Sequence, residues 1–162
     1  LRLLGRAELS TYKQRLREIG LDWPKVARPD LPFAPVIRVG DVVYVSGQIP
    51  EAGDDIFAVG QVGREVDVPT AQKAAQLCAA NIVYWLDQEL RGDLDRVVRI
   101  AKVGVYINAA PGFSQYSQVG NGASVLFLKI FAERGEHARI AIGMAGLPLN
   151  VPVEVDAIVH VR

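Results

Sequence analysis

The hydrophobic pattern changes period several times along the chain, and each change marks an element. Over residues 6–20, Leu9, Tyr12, Leu16 and Ile19 recur at helical spacing, and Gly20 is placed to end the helix. Residues 22–35 (DWPKVARPDLPFAP) then carry four prolines and cannot continue it. Residues 1–32 are therefore expected to be a helix and connector appended to the domain rather than part of its core. From Val36 the period falls to two. VIRV and VVYVSGQIP flank Gly40-Asp41, the pattern of a hairpin with a tight turn. Val42 to Val45 is apolar on both faces, which predicts a strand covered on both sides. EAGDD predicts a turn and IFAVGQVG, residues 56–63, a short glycine-punctuated strand.

A long helix follows. Asp67 is its expected cap, and Ala71, Ala74, Ala75, Cys78, Ile82, Trp85 and Leu86 form a stripe able to lie on a sheet. After Gly92, VVRIAKVGVYIN predicts a strand, with Arg96, Arg99 and Lys102 assigned to a solvated edge or an interface. A second helical region over 113–134 is expected to be interrupted at Gly120-Asn121-Gly122, with Asn121 capping its second segment. Leu126, Phe127, Ile130 and Phe131 are that segment's buried face.

The last part of the chain, His137 to Val161, predicts two strands joined by a Leu-Pro turn. In the first, Ala138, Ile140, Ile142 and Met144 share one face, and Arg139 lies on the other with Ala141, Gly143 and Ala145. A guanidinium in a row of minimal side chains has room beside it. A cavity wall has this pattern, and so does a strand with a helix or second sheet packed close. In the second strand Glu154, Asp156, Ile158 and His160 oppose a row of Val and Ala. If the two strands pair, Arg139 and Glu154 share one surface, either as a site or as a solvated ion pair contributing a few tenths of ~1 kcal/mol.

Composition narrows the partners. The chain has 162 residues, half of them hydrophobic, enough for one domain with a proper core. Eighteen basic and eighteen acidic residues cancel, so no overall field draws nucleic acid or a membrane surface. One cysteine excludes an internal disulfide, and no Cys/His spacing suggests a metal site; no cofactor is expected. Cys78, on the apolar helix stripe, is expected to be a buried, inert thiol. His137 and His160 are isolated in sequence and are not expected to act in catalysis. No run has the character of a signal peptide or a membrane span, and a cytoplasmic setting is expected. Ser46-Gly47-Gln48, at the end of its strand, offers amides and a hydroxyl for an anion or carbonyl; a strand bulge gives the same pattern.

Taken in order, GDVVYVSGQIP (Gly40 to Pro50), GDLDRVVRIAKVGVYI (Gly92 to Ile107), and HAR followed by LPLNVPVEVDAIV resemble the RidA/YjgF family, also called the L-PSP endoribonuclease family. The likeness spans residues 33–161, with an N-terminal extension and an NGAS segment suggesting a longer branch. It implies an α+β, chorismate-mutase-like fold: a mixed sheet backed by two helices, three such sheets closing a barrel in a homotrimer with ligand clefts between subunits. It implies that Arg139 binds a substrate carboxylate and Glu154 helps position the attacking water. The implied reaction is hydrolysis of small imines or enamines to a 2-oxo acid and ammonia. Ser46, Gly47, Phe33, Ala141 and Asn121 are the implied substrate-binding positions, with Ser124 competing with Asn121. Phe33 stands where such proteins have a tyrosine, and Ile140 and Ala141 where they have serine and cysteine. These departures leave two alternatives: a non-catalytic module for small 2-oxo acids, and an endoribonuclease or translation inhibitor.

Overall fold

The computed structural model describes residues 4–27 and 30–162. The elements run α1 (Leu4–Glu18), β1 (Val36–Val39), β2 (Val42–Gln48), β3 (Glu51–Ala52), β4 (Asp55–Ile56), α2 (Val68–Glu89), β5 (Val97–Asn108), α3 (Tyr116–Phe131), β6 (Ala138–Met144) and β7 (Val153–Val161). Five strands make one sheet in the order β1-β2-β7-β5-β6; β3 and β4 form a separate small hairpin. All pairings in the large sheet are antiparallel except β5 with β6.

The long helix α2 starts as its sequence dictates. Asp67 accepts a hydrogen bond from the Thr70 amide at 2.9 Å, and Pro69 sits in the first turn where no amide hydrogen is needed. Every residue of the predicted stripe is buried, and α2 and α3 cover one face of the sheet. Cys78 lies in this layer, its thiol donating to the Val153 carbonyl at 3.7 Å, and burial pushes its ionisation upward.

Several expectations are corrected. Residues 56–63 are not a strand beyond Ile56. Their amides serve other partners: Gly60 donates to the Asn150 carbonyl and Val62 to that of Asn108, and Gly60 and Gly63 take positive φ. The segment is a strap across the end of β5. Nor is α3 interrupted, since Gly120, Asn121 and Gly122 lie within one continuous helix. At Gly122 a Cβ would collide with the Gln72 carbonyl of α2, so the glycine permits a close helix crossing rather than a break. The N-terminal helix is also less of an appendage than expected. Tyr12 and Leu16 are buried in the core, the Tyr12 ring meets Phe131, and its hydroxyl donates to Asp95. Leu9, the first residue of the predicted stripe, lies outside the residues whose side chains are described, as do Arg28 and Pro29 of the connector.

The second face of the sheet is bare within one chain. Val43 and Val45 point into the core, whereas Tyr44 is 45% exposed, so β2 is covered on one side only. Ile37, Tyr44, Ile158 and Lys102 form one rung across this face, and Ile140 and Ile142 of β6 lie on the same face. Lys102 and Arg99 stand here, on central strand β5 rather than at a sheet edge. A hollow of about 390 Å³ on the same face is lined by Tyr44, Ser46, Tyr106, Ile140, Asp156 and Ile158, among others. An apolar face this continuous is unusual on a soluble protein surface.

Candidate functional site

The final two strands do not pair. β5 stands between them, antiparallel to β7 and parallel to β6. Arg139 is opposite Val103, which is opposite Ala157; Glu154 is opposite Tyr106. Ala157 and Glu154 differ by an odd number of residues along β7, so Arg139 and Glu154 project from opposite faces of the sheet. The predicted site residues thereby separate into two groups.

The first group lies where α3 crosses β6, on the helix side of the sheet. Arg139, Ala141 and Gly143 come from the strand, and Tyr116, Gly120 and Ser124 from the helix. The small residues are there because the elements nearly touch. A Cβ on Gly120 would come within 3.1 Å of the Arg139 guanidinium and 3.3 Å of Ala141. A Cβ on Gly143 would meet the Tyr116 ring at 2.9 Å. Of the two readings of the small-residue row, the closely packed helix is the one these distances show. Arg139 is fixed by neutral partners. Its Nη1 donates to Asn121 Oδ1 at 3.0 Å and to Ser124 Oγ at 3.1 Å, and Nη2 to the Ser117 carbonyl at 3.3 Å. Asn121 and Ser124 both contact Arg139. Among the described residues no carboxylate lies within ion-pairing distance of this guanidinium.

Behind Ser124 stands His137, which sequence reasoning set aside. Its Nε2 is 2.9 Å from Ser124 Oγ, its Nδ1 2.6 Å from the Gly135 carbonyl, and its ring meets Phe127 edge-on. Burial holds the ring below its ordinary proton affinity, and the Arg139 charge adds to this against the Gly135 hydrogen bond. The signal was in the sequence: NGAS supplies hydroxyl and amide one helix turn before Phe127, and HAR places histidine and arginine two apart.

The second group lies on the bare face. β2 and β7 slip register between Val45 and Gln48, the bulge that is one of the two readings of Ser46-Gly47-Gln48. The bulge turns Gln48 inward, where it accepts from Trp85 Nε1 at 3.0 Å, and leaves Gly47 against Glu154. A Cβ at Gly47 would overlap the Glu154 carboxylate, so only glycine lets that side chain lie along the strand end. Burial raises the Glu154 carboxyl above its ordinary range, and the neighbouring Asp156 adds to this. Ser46 Oγ donates to the Ala34 carbonyl at 2.7 Å, which ties the chain beside Phe33 to this group. Phe33 itself is 58% exposed. His160, at the far end of β7, faces Asp41 of the hairpin turn at 3.2 Å.

This pairing of fold and residues defines a class. The family model described as "YjgF/chorismate_mutase-like, putative endoribonuclease" matches residues 13–159. The chain is 40% identical to protein TCP17 of Trypanosoma cruzi over 148 residues, 91% of this chain and 92% of that one. The crystal structure of protein Atu1372 from Agrobacterium tumefaciens, of unknown function, superposes with a TM-score of 0.92 at 40% identity, covering 99% of both chains. Escherichia coli TdcF, solved with bound serine, shares the fold at a TM-score of 0.54 and 24% identity, over 86% of this chain and 92% of its own. The chain belongs to the RidA/YjgF family. No described helix is long and apolar enough to cross a membrane.

Proposed function

We propose that the protein hydrolyses small carboxylate-bearing imines or enamines to 2-oxo acids and ammonia, in clefts between the subunits of a homotrimer. The observation that carries this reading is Arg139: a guanidinium held by three neutral groups and unpaired with any described carboxylate. Such a charge, fixed but not neutralised, suits a small carboxylate, whose two oxygens match the planar donor fork. Serine bound to TdcF is a ligand of that chemistry on the same fold.

Glu154 supplies the second half. In the reaction, water oxygen adds to the imine carbon, a proton passes to the carboxylate, and the carboxylate returns a proton to nitrogen. The carbinolamine hydroxyl then passes its proton, through the same carboxylate, to the amino nitrogen as the carbon–nitrogen bond breaks, leaving the 2-oxo acid and ammonia. A carboxyl raised above its ordinary range is suited to both transfers. No covalent nucleophile is required, because the imine carbon is already electrophilic. Arg139 and Glu154 of one chain stand on opposite faces, so a shared cleft takes Arg139, Asn121 and Ala141 from one subunit. Glu154, Ser46, Gly47 and Phe33 come from its neighbour. The bare apolar sheet face is the surface that such an assembly would bury.

The separation of the two groups, with the missing hydroxyl at Phe33, also favours a second reading: a carboxylate-binding module without turnover. Release of 2-oxo acid from a panel of enzymatically generated imines decides between them. Wild type is expected to accelerate release, and Arg139→Ala to abolish the acceleration. No acceleration by wild type that nonetheless binds pyruvate through Arg139 would establish the module instead.

A further inference from the structure

Resting on the reading of Arg139 as a carboxylate binder, we propose that Ser124 and His137 are positioning residues for it. They select which of its donors meet the carboxylate and couple that binding to a proton on His137.

The hydrogen positions follow from the partners. A carbonyl only accepts, so the Gly135 contact puts the hydrogen of the neutral ring on Nδ1. Nε2 is then a bare lone pair, and the Ser124 hydroxyl 2.9 Å away donates to it. With its hydrogen committed, the Ser124 oxygen is left to accept from Arg139 Nη1 at 3.1 Å. Asn121 Oδ1 takes the other Nη1 hydrogen and the Ser117 carbonyl one from Nη2. Among the described residues, Nε–H and the second Nη2–H have no acceptor, and these remain for the ligand. The selection starts at Gly135 and is passed through the ring and the hydroxyl.

Protonation reverses the middle of the chain. Nε2 then donates to Ser124 Oγ, and the Ser124 hydrogen is released. Two cations would now share one hydroxyl oxygen. Among the described residues, Arg139 is the charge that acts on His137, and no carboxylate does. α3 presents only Ser124 and the Phe127 ring, and in the turn before β6 Arg134 is 3.7 Å from Asp95. Glu136 is 3.4 Å from Arg99 of β5, and the same strand sets Lys102 opposite Ala138 in register. The missing counter-charge is the carboxylate itself. Bound at Arg139, it relieves the repulsion, and the freed Ser124 hydrogen becomes a further donor to it. By reciprocity, a proton on His137 tightens carboxylate binding as much as the carboxylate favours the proton.

Calorimetry with pyruvate from about pH 5 to 8 tests this, since histidine changes charge in that span. In wild type, affinity is expected to rise about tenfold as pH falls, with proton uptake seen as buffer-dependent heat. His137→Gln keeps an acceptor for Ser124 but has nothing to titrate. It should hold the high-pH affinity within about twofold and lose the pH dependence. Ser124→Ala should bind about tenfold more weakly at high pH. NMR of the His137 ring in wild type needs no variant, and its titration midpoint should move upward on adding pyruvate. An unmoved midpoint, or pH dependence surviving in His137→Gln, would overturn the coupling. Wild-type affinity in a folded Ser124→Ala would overturn the positioning. Binding that survives in Arg139→Ala would instead overturn the underlying reading of the site.

Discussion

Glu154 pairs with no basic residue among those described, and its carboxylate lies where a Cβ on Gly47 would stand. Glu154→Gln keeps the shape and removes the proton acceptor, so kcat for imine hydrolysis should fall by about 10²-fold or more while pyruvate affinity is unchanged. A fully active Glu154→Gln would shift the water-orienting role to the backbone at Ser46 and Gly47. The acid limb of the rate profile should lie above the ordinary carboxyl value of 4.5, because burial first and Asp156 second hold Glu154 above it. Stability has the opposite sense. The folded chain keeps this proton longer than the unfolded one, so the stabilisation is present below pH 4.5 and lost as pH rises through the raised value. Glu154→Gln should flatten that part of the stability profile, measured by urea unfolding at a series of pH values. Arg139 and Glu154 were both legible in the sequence as an odd arginine and an odd glutamate. Their relation was not, because alternation fixes faces within a strand and says nothing of which strand intervenes.

At the scale of elements, periodicity found α2, its cap, the β1–β2 hairpin and β5–β7 correctly. It failed at glycines, which carry two opposite meanings. Gly60 and Gly63 take positive φ in a strap that forms no strand. Gly120 and Gly122 do not end a helix: they let α3 come close to β6 and α2, and a sequence does not name the neighbour that needs the space. Gly122→Ala tests the distinction. Alanine is the better helix former by about 1 kcal/mol, so a solvated break-point glycine would gain stability on replacement. At a crossing where the new methyl overlaps the Gln72 carbonyl, α2 and α3 must separate, and a net loss of roughly 1–3 kcal/mol is expected by chemical unfolding.

For the whole molecule, the bare sheet face governs. Ile37, Tyr44, Ile140, Ile142 and Ile158 are all more than a third exposed on it, around Lys102 and the Asp156–Tyr106 hydrogen bond at 3.1 Å. Sedimentation should find a trimer that persists on dilution to micromolar concentration, with an interface above about 2,000 Å². A stable monomer would remove the shared cleft with it. Mixing gives a sharper result. Arg139→Ala and Glu154→Gln subunits are each expected to be inactive alone. Refolded together in equal amounts, roughly a quarter of clefts would combine an intact arginine from one with an intact glutamate from the other. Activity absent from that mixture would mean the two residues do not meet across subunits.

The strands stand in a different order from that in which they are made. β7 follows all the others in the chain, yet it lies between β2 and β5, pairing Val42 with His160 on one side and Tyr106 with Glu154 on the other. A growing polypeptide therefore carries two half-sheets, each with an open ladder facing the gap, for as long as it takes to synthesise everything between. Open edges of this kind recruit other chains, and pairings so distant in sequence close slowly. The hazardous interval in this protein's life is the wait for its nine-residue central strand. Damage confined to that strand would leave two incomplete sheets rather than one shortened sheet.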